Sequence, residues 1–247
     1  AGWLVVMAIA FGPQAAYAAT CTANVSGNWS SISWSGCTPG SNDDVIIFDN
    51  QTVTLDVDAT VRGITIYSGA TFNNGSRTLE AQGGYLTSYG TYNGNTGTYS
   101  FTGGGGVYGT STSTFNNVAI SAGVDFFTTD GNSNTHRALI NGTLTINPNG
   151  YVSADGGDGR PIYGTVSTLK FNTSNTESSP YDSNEEWDAQ GGTTVGTSPG
   201  VPQNVELASN TWLSLNANQW TRPMGGNLTI GSGSGLILQT GSNTALN

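Results

Sequence analysis

One pair of phrases is stated three times along this chain, and that repetition restricts the fold more than any other feature. DDVIIF from Asp43 and VRGITIYSG from Val61 give it first; NVAISAGVDF from Asn117 and NGTLTINPNGYV from Asn141 restate it. NVELASNTWLSL from Asn204 and GNLTIGSGSGLIL from Gly226 do so again. Val45, Val118 and Val205 begin the apolar run of the first phrase, and Ile64, Leu144 and Leu228 that of the second. Within a unit the two runs lie 19, 26 and 23 residues apart, and the first phrase recurs after 73 and then 87 residues. Apolar and polar residues alternate inside each piece, as in Val53–Val57, and each piece ends at Gly, Asn or Asp, which is the chemistry of corners. Hardly any stretch of ten residues places apolar side chains at helical spacing.

Short strands that return every 20–25 residues or so are what a parallel β-helix requires, because one coil cannot bury its inward face unless neighbours stack on it. The expected fold is all-β: a right-handed parallel β-helix with an N-terminal cap, of about ten turns and roughly 50 Å at a spacing near 4.8 Å. Gly would supply positive φ at the corners, aligned Asn would stack their amides, and Thr would suit the outward strand faces. A β-sandwich is the alternative, since short strands with Gly-rich turns also satisfy it. Nothing in a sandwich calls for a restated phrase.

Only 9% of the residues are charged, so solubility rests on hydroxyls and amides. Sixteen acids against six bases leave a net charge of −10, which removes the basic footprint of a nucleic-acid binder and disfavours anionic membranes and polyanionic substrates. The apolar run Trp3–Gly12, followed by Ala16–Ala18, has the length and small-residue site of a signal peptide. We therefore expect residues 1–18 to be a signal peptide cut after Ala18, truncated at its start, with no integral membrane segment after cleavage. The pattern at the other end suggests a truncated C-terminus. Cys21 and Cys37 follow the cleavage site, and in a secreted chain they are expected to form a disulfide worth about 3 kcal/mol by loop closure. Residues 19–44 would then form a cap in which Trp29 and Trp34 plug the first coil and block edge pairing, and residues 45–247 the coils.

Residues 172–204 interrupt the regularity with three prolines and few apolar residues, and read as a loop bulging from one coil. Inside it, Tyr181–Gln190 gathers Asp182, Glu185, Glu186 and Asp188 around Trp187. These four carboxylates are candidate calcium ligands, and Tyr181 and Trp187 are candidate platforms for a sugar ring; a solvated acidic loop is the plainer reading. The pairs Asp43/Asp44, Asp56/Asp58 and Asp155/Asp158 are weaker candidates for calcium or for acid–base chemistry. His136 has no nucleophile motif near it. Thr102–Gly109 lacks the Lys and the following helix of a phosphate loop. No catalytic residue emerges.

The stretch from Gly27 to Phe72 resembles the eight-glycine extracellular domain of bacterial secreted β-helix proteins, through Asn28–Ser30, Trp34, Pro39–Gly40, Asp43–Val45, Thr52–Asp56 and Ser68–Ala70. The phrases NNVAIS and NGTLTIN are similar to coils of large bacterial adhesins and autotransporter-like passengers. The resemblance implies display or release at the cell surface, where many such proteins mediate adhesion and some act on polysaccharides. Three functions follow as expectations: an adhesin-like structural or binding protein, a lyase or glycoside hydrolase with its active site beyond residue 247, or a carbohydrate-binding module using the 181–190 loop. The expected partners are carbohydrate or a host or cell surface.

Overall fold

The computed structural model describes residues 18–125, 138–153, 160–183, 185–188, 192–215 and 222–238. Among them the only helix is one 3-10 turn, Glu185–Trp187. The chain visits three sheets in a fixed order. Asp44–Ile47 lies in the first, Thr52–Thr54 in the second and Ala59–Val61 in the third, after which Gly63–Ile66 returns beside Asp44–Ile47. The strands pair in parallel, apart from Trp34–Ser35, which runs antiparallel to Thr20–Ala23. This is a β-solenoid of about eight turns, and its parallel ladders exclude the sandwich. Ten turns presumed coils of constant length, whereas one coil runs from Leu169 to Val205, its partner in register, and takes 36 residues.

The restated phrases mark neighbouring coils. Val45 lies beside Ile64, Val118 beside Leu144, and Val205 beside Leu228. The first pair belongs to the first sheet and the other two to the third. The phrase therefore records a strand environment that recurs on different faces, and the 73-residue recurrence is not a whole number of coils. Five of these six side chains are buried, and Leu228, in the last described coil, is half-buried against the core.

Alternation builds the core. Thr78–Ala81, Thr98–Phe101, Asn117–Ile120 and Thr143–Ile146 each bury every second residue, the period that sends successive side chains to opposite faces of a strand. Rings stack along the axis inside the second sheet: Phe72 lies 5.9 Å from Tyr92, which lies 4.8 Å from Phe115. Burial pushes the phenols of Tyr92 and Tyr99 upward, so both stay protonated. The expected amide stacking occurs at two places, where Asn93 Nδ2 donates to Asn73 Oδ1 at 2.9 Å and Asn172 Nδ2 to Asn147 Oδ1 at 3.1 Å. At one corner Asn50 and Gly69 stack with positive φ of 60° and 76°; a Cβ on Gly69 would come within 2.6 Å of the Asn50 amide oxygen.

The first coil begins earlier than residue 45. Thr20–Ala23 already pairs in parallel with Asp44–Ile47, and Gly27–Asn28 with the second sheet. Covering the end falls to the segment between Asn28 and Asp44. Trp29 is buried, meets Trp34 edge to face at 4.7 Å and Phe72 at 6.1 Å, and its carbonyl accepts the Trp34 indole N–H. Asp56 ties this cover to the coil below by accepting the amide and hydroxyl of Ser30, which hold its carboxyl below the usual range. Cys21, on the inward row beside Val45, is bonded to Cys37 with α-carbons 4.9 Å apart. Reduction should therefore lower the urea midpoint by the equivalent of about 3 kcal/mol; an unchanged midpoint in reductant would show that the packing of Trp29 alone holds the cover.

The described part of residues 172–204 is only partly a loop: 176–179 are exposed, while the rest is built into an enlarged coil of the solenoid. Tyr181–Asp182 pairs with Trp212–Leu215, which pairs in turn with Gly235–Leu238, making a fourth sheet of three strands. Pro199 bridges back to Ile162. The sparse apolar content suggested exposure, but this coil buries charge, Glu186 and Asp188, alongside Trp187 and Val201.

Candidate functional site

The acidic loop is an internal lock. Glu186, Trp187 and Asp188 are buried, while Asp182 is exposed on its strand and Glu185 only partly covered. Asp188 Oδ2 lies 2.6 Å from Arg160 Nη2, and its Oδ1 lies 3.3 Å from Arg222 Nη1; all three side chains are 4% exposed. Arg160 also reaches Glu185 at 4.0 Å, and Arg222 donates to the Ser183 carbonyl. Desolvation lowers the Arg222 guanidinium and the adjacent Asp188 raises it. The Trp187 indole donates to the Pro223 carbonyl at 2.9 Å, and Tyr163 donates to the Glu186 carbonyl at 2.6 Å.

This arrangement replaces both readings of the loop. Asp182, Glu185, Glu186 and Asp188 do not converge on one point; among the described residues the only His, Cys, Asp and Glu group compact enough for a metal is Cys21, Cys37 and Asp43. Two of those are spent in the disulfide, and Asp43 accepts the amides of Ala19 and Gly40. Trp187 is fully buried and gives no sugar platform. Tyr181 packs on Phe171 at 5.5 Å, and burial, then the nearby Glu186, push its phenol upward. The arginines that neutralise the loop come from distant sequence, Arg160 before it and Arg222 after it, so no local motif announces them.

Two of the other carboxylate pairs, Asp43/Asp44 and Asp56/Asp58, are structural as well. Asp56 holds Ser30, Asp58 accepts the Thr78 amide, and Asp44 is paired with Arg62. Asp155, Asp158 and His136 lie outside the described residues. Within Thr102–Gly109 the segment Gly105–Gly109 is a strand of the first sheet.

Where the outward face of the first sheet crosses its early coils, it opens into a trough of about 360 Å³. Gly63 and Gly84 form part of its lining, and each is there because nothing larger fits. A Cβ on Gly63 would stand 2.9 Å from the Tyr85 amide nitrogen, and one on Gly84 2.6 Å from the Arg62 carbonyl. On one side Arg62 Nε donates to Asp44 Oδ1 at 3.0 Å, and its Nη2 closes the second arm of the fork. The hydrogen bonds and charge of Asp44 raise the guanidinium further, so it stays charged. On the other side stands Tyr85, 47% exposed, its ring braced edge-on by Tyr108 at 4.5 Å. Thr65 and Thr87, in register on adjacent coils, present hydroxyls between them.

The trough therefore offers an aromatic face, two hydroxyls and a planar ion pair whose charges cancel. Sequence reasoning did not select Arg62, Tyr85 or Thr87. The signal was present in the alternation around Gly63–Ile66 and Tyr85–Ser88, which sends Thr65, Tyr85 and Thr87 outward, but their convergence depends on coil register. Comparison with known protein families, with curated proteins and with solved structures returns no match. Among the described residues no helix is long and apolar enough to cross a membrane.

Proposed function

We propose that this chain is a secreted or cell-surface β-solenoid with an adhesin-like structural role, which holds neutral carbohydrate in the trough of its first sheet. The observation that carries the reading is the pairing of an exposed aromatic wall, Tyr85, with a polar wall whose charges cancel, Arg62–Asp44. A sugar ring presents an apolar face and an edge of hydroxyls. Tyr85 suits the first; the hydroxyls of Thr65 and Thr87 and the ion pair suit the second. The volume of about 360 Å³ falls within the usual range of ligand sites, about 300–1,000 Å³. The net charge of −10 turns away acidic glycans, and the disulfide fits an oxidising compartment. One carboxylate, Asp44, lines the trough and is held by Arg62, whereas glycoside hydrolysis generally uses two; binding is therefore the better reading of this site than turnover.

An array of neutral and anionic glycans tests it. The full chain should be retained by neutral oligosaccharides, with little dependence on salt, since no net charge is exchanged. Tyr85→Ala should weaken retention about tenfold, the scale of one lost aromatic contact. Preference for uronate or sulfated glycans, or retention unchanged in the variant, would overturn the reading.

A further inference from the structure

Over its first coils, as far as Thr114, the outward face of the second sheet differs from its neighbours. Thr52, Thr71 and Thr91 lie side by side on successive coils, and the same register places Thr112 next. Two residues along each strand runs a second rank, Thr54, Asn73, Asn93 and Thr114. Asn28 precedes it, beside Thr54. Every member is exposed or half-exposed, and none is charged or aromatic. The other faces lack this uniformity. The third sheet carries Glu80 and the Lys170–Glu206 ion pair, and the first carries Asp44, Ile46 and Tyr85.

Backbone geometry sets the lattice of this array. Coils stack at about 4.8 Å, and alternate residues of a strand lie about 6.6 Å apart. β-Branching confines the Thr side chains to few rotamers, and the hydrogen bond from Asn93 Nδ2 to Asn73 Oδ1 at 2.9 Å fixes the middle of the second rank. A tetrahedral water network has its own spacings. With O···O contacts of about 2.75 Å, second neighbours lie about 4.5 Å apart, and the repeat along the hexagonal axis, eight-thirds of the contact, is about 7.3 Å. The mismatch along the ranks, about 0.3 Å per coil, grows to only about 0.9 Å over four coils, a third of one hydrogen-bond length. Across the ranks it is taken only once, at about 0.7 Å. An array this short therefore stays in step with the lattice, whereas a much longer one would drift out.

The geometry points to this face as a binding surface for the lattice of ice. Two observations favour water over a glycan as the occupant. The array carries no ring on which a sugar could stack, and its groups are single hydroxyls and amides at fixed intervals, with no ion among them to order water in a competing pattern; past Thr114 the rank passes to Leu139 and Ile162, which end it. This site is separate from the trough and does not depend on it.

Ice-affinity partitioning of the full chain tests the inference, with growing ice as the probe. The protein should enter the ice in excess of an inert protein of similar size. Thr71→Lys with Thr91→Lys should reduce its content there about tenfold, the cost of losing one or two hydrogen-bonded positions and adding charge. Thr71→Val with Thr91→Val keeps the strand-forming shape and should also reduce it; circular dichroism identifies any variant that fails to fold. Tyr85→Ala should leave partitioning unchanged. Exclusion of the parent chain from ice, or equal uptake by folded variants of both kinds, would overturn the inference. So would adsorption to crystalline polysaccharide that is lost in these variants, with none to ice.

Discussion

Asp188→Ala should destabilise the protein by about 3–5 kcal/mol, because it leaves two buried guanidinium groups without their shared anion. Arg160 and Arg222 contact Asp188 at 2.6 and 3.3 Å, and all three side chains are 4% exposed. Neither arginine has an easy route to water. Urea unfolding would give the value directly. Attraction is only half of the argument, since burying the triad costs desolvation as well. Replacing all three residues together with apolar side chains of similar volume (Asp188→Leu, Arg160→Met, Arg222→Met) should recover most of the loss. A single substitution that costs less than about 1 kcal/mol would place the enlarged coil in contact with water, as a solvated loop would be.

Phe72→Ala should cost a similar amount, about 3–5 kcal/mol, for a different reason. The ring is fully buried between Trp29 at 6.1 Å and Tyr92 at 5.9 Å, and rigid strands on either side prevent the space from closing. Tyr92→Phe provides the contrast. The Tyr92 hydroxyl is buried and finds no hydrogen-bond partner among the described residues, so its removal should be neutral or stabilising by about 1 kcal/mol. Loss of stability in Tyr92→Phe would mean that the hydroxyl is satisfied in solution.

The solenoid was legible because its cause is local. Alternation within three to five residues, with Gly and Asn at corners, fixes which side chains point inward, and Val45, Ile64, Val118, Leu144 and Val205 all do. The disulfide was legible for a like reason, as two cysteines in one short segment of a chain read as secreted. The coil count and sheet assignment were not, because coil length varies from 19 residues between Val45 and Ile64 to 36 between Leu169 and Val205. Composition misled most at residues 181–188. Four carboxylates in one stretch suggest an open loop or a metal site, and only the fold brings Arg160 and Arg222 to them. Tyr85 and Arg62 escaped notice for the converse reason: each is ordinary in sequence, and a trough exists only once the coils bearing them are stacked.

Oxidative footprinting of exposed tyrosines, with and without the neutral oligosaccharide that the array selects, tests the central claim most directly. Tyr85 and Tyr151 are 47% and 51% exposed on the same sheet, so both should be oxidised readily in the free protein. Bound sugar should protect Tyr85 and leave Tyr151 unchanged. Protection of Tyr151 with Tyr85 still reactive, or no change at either ring under saturating sugar, would contradict the assignment of the trough.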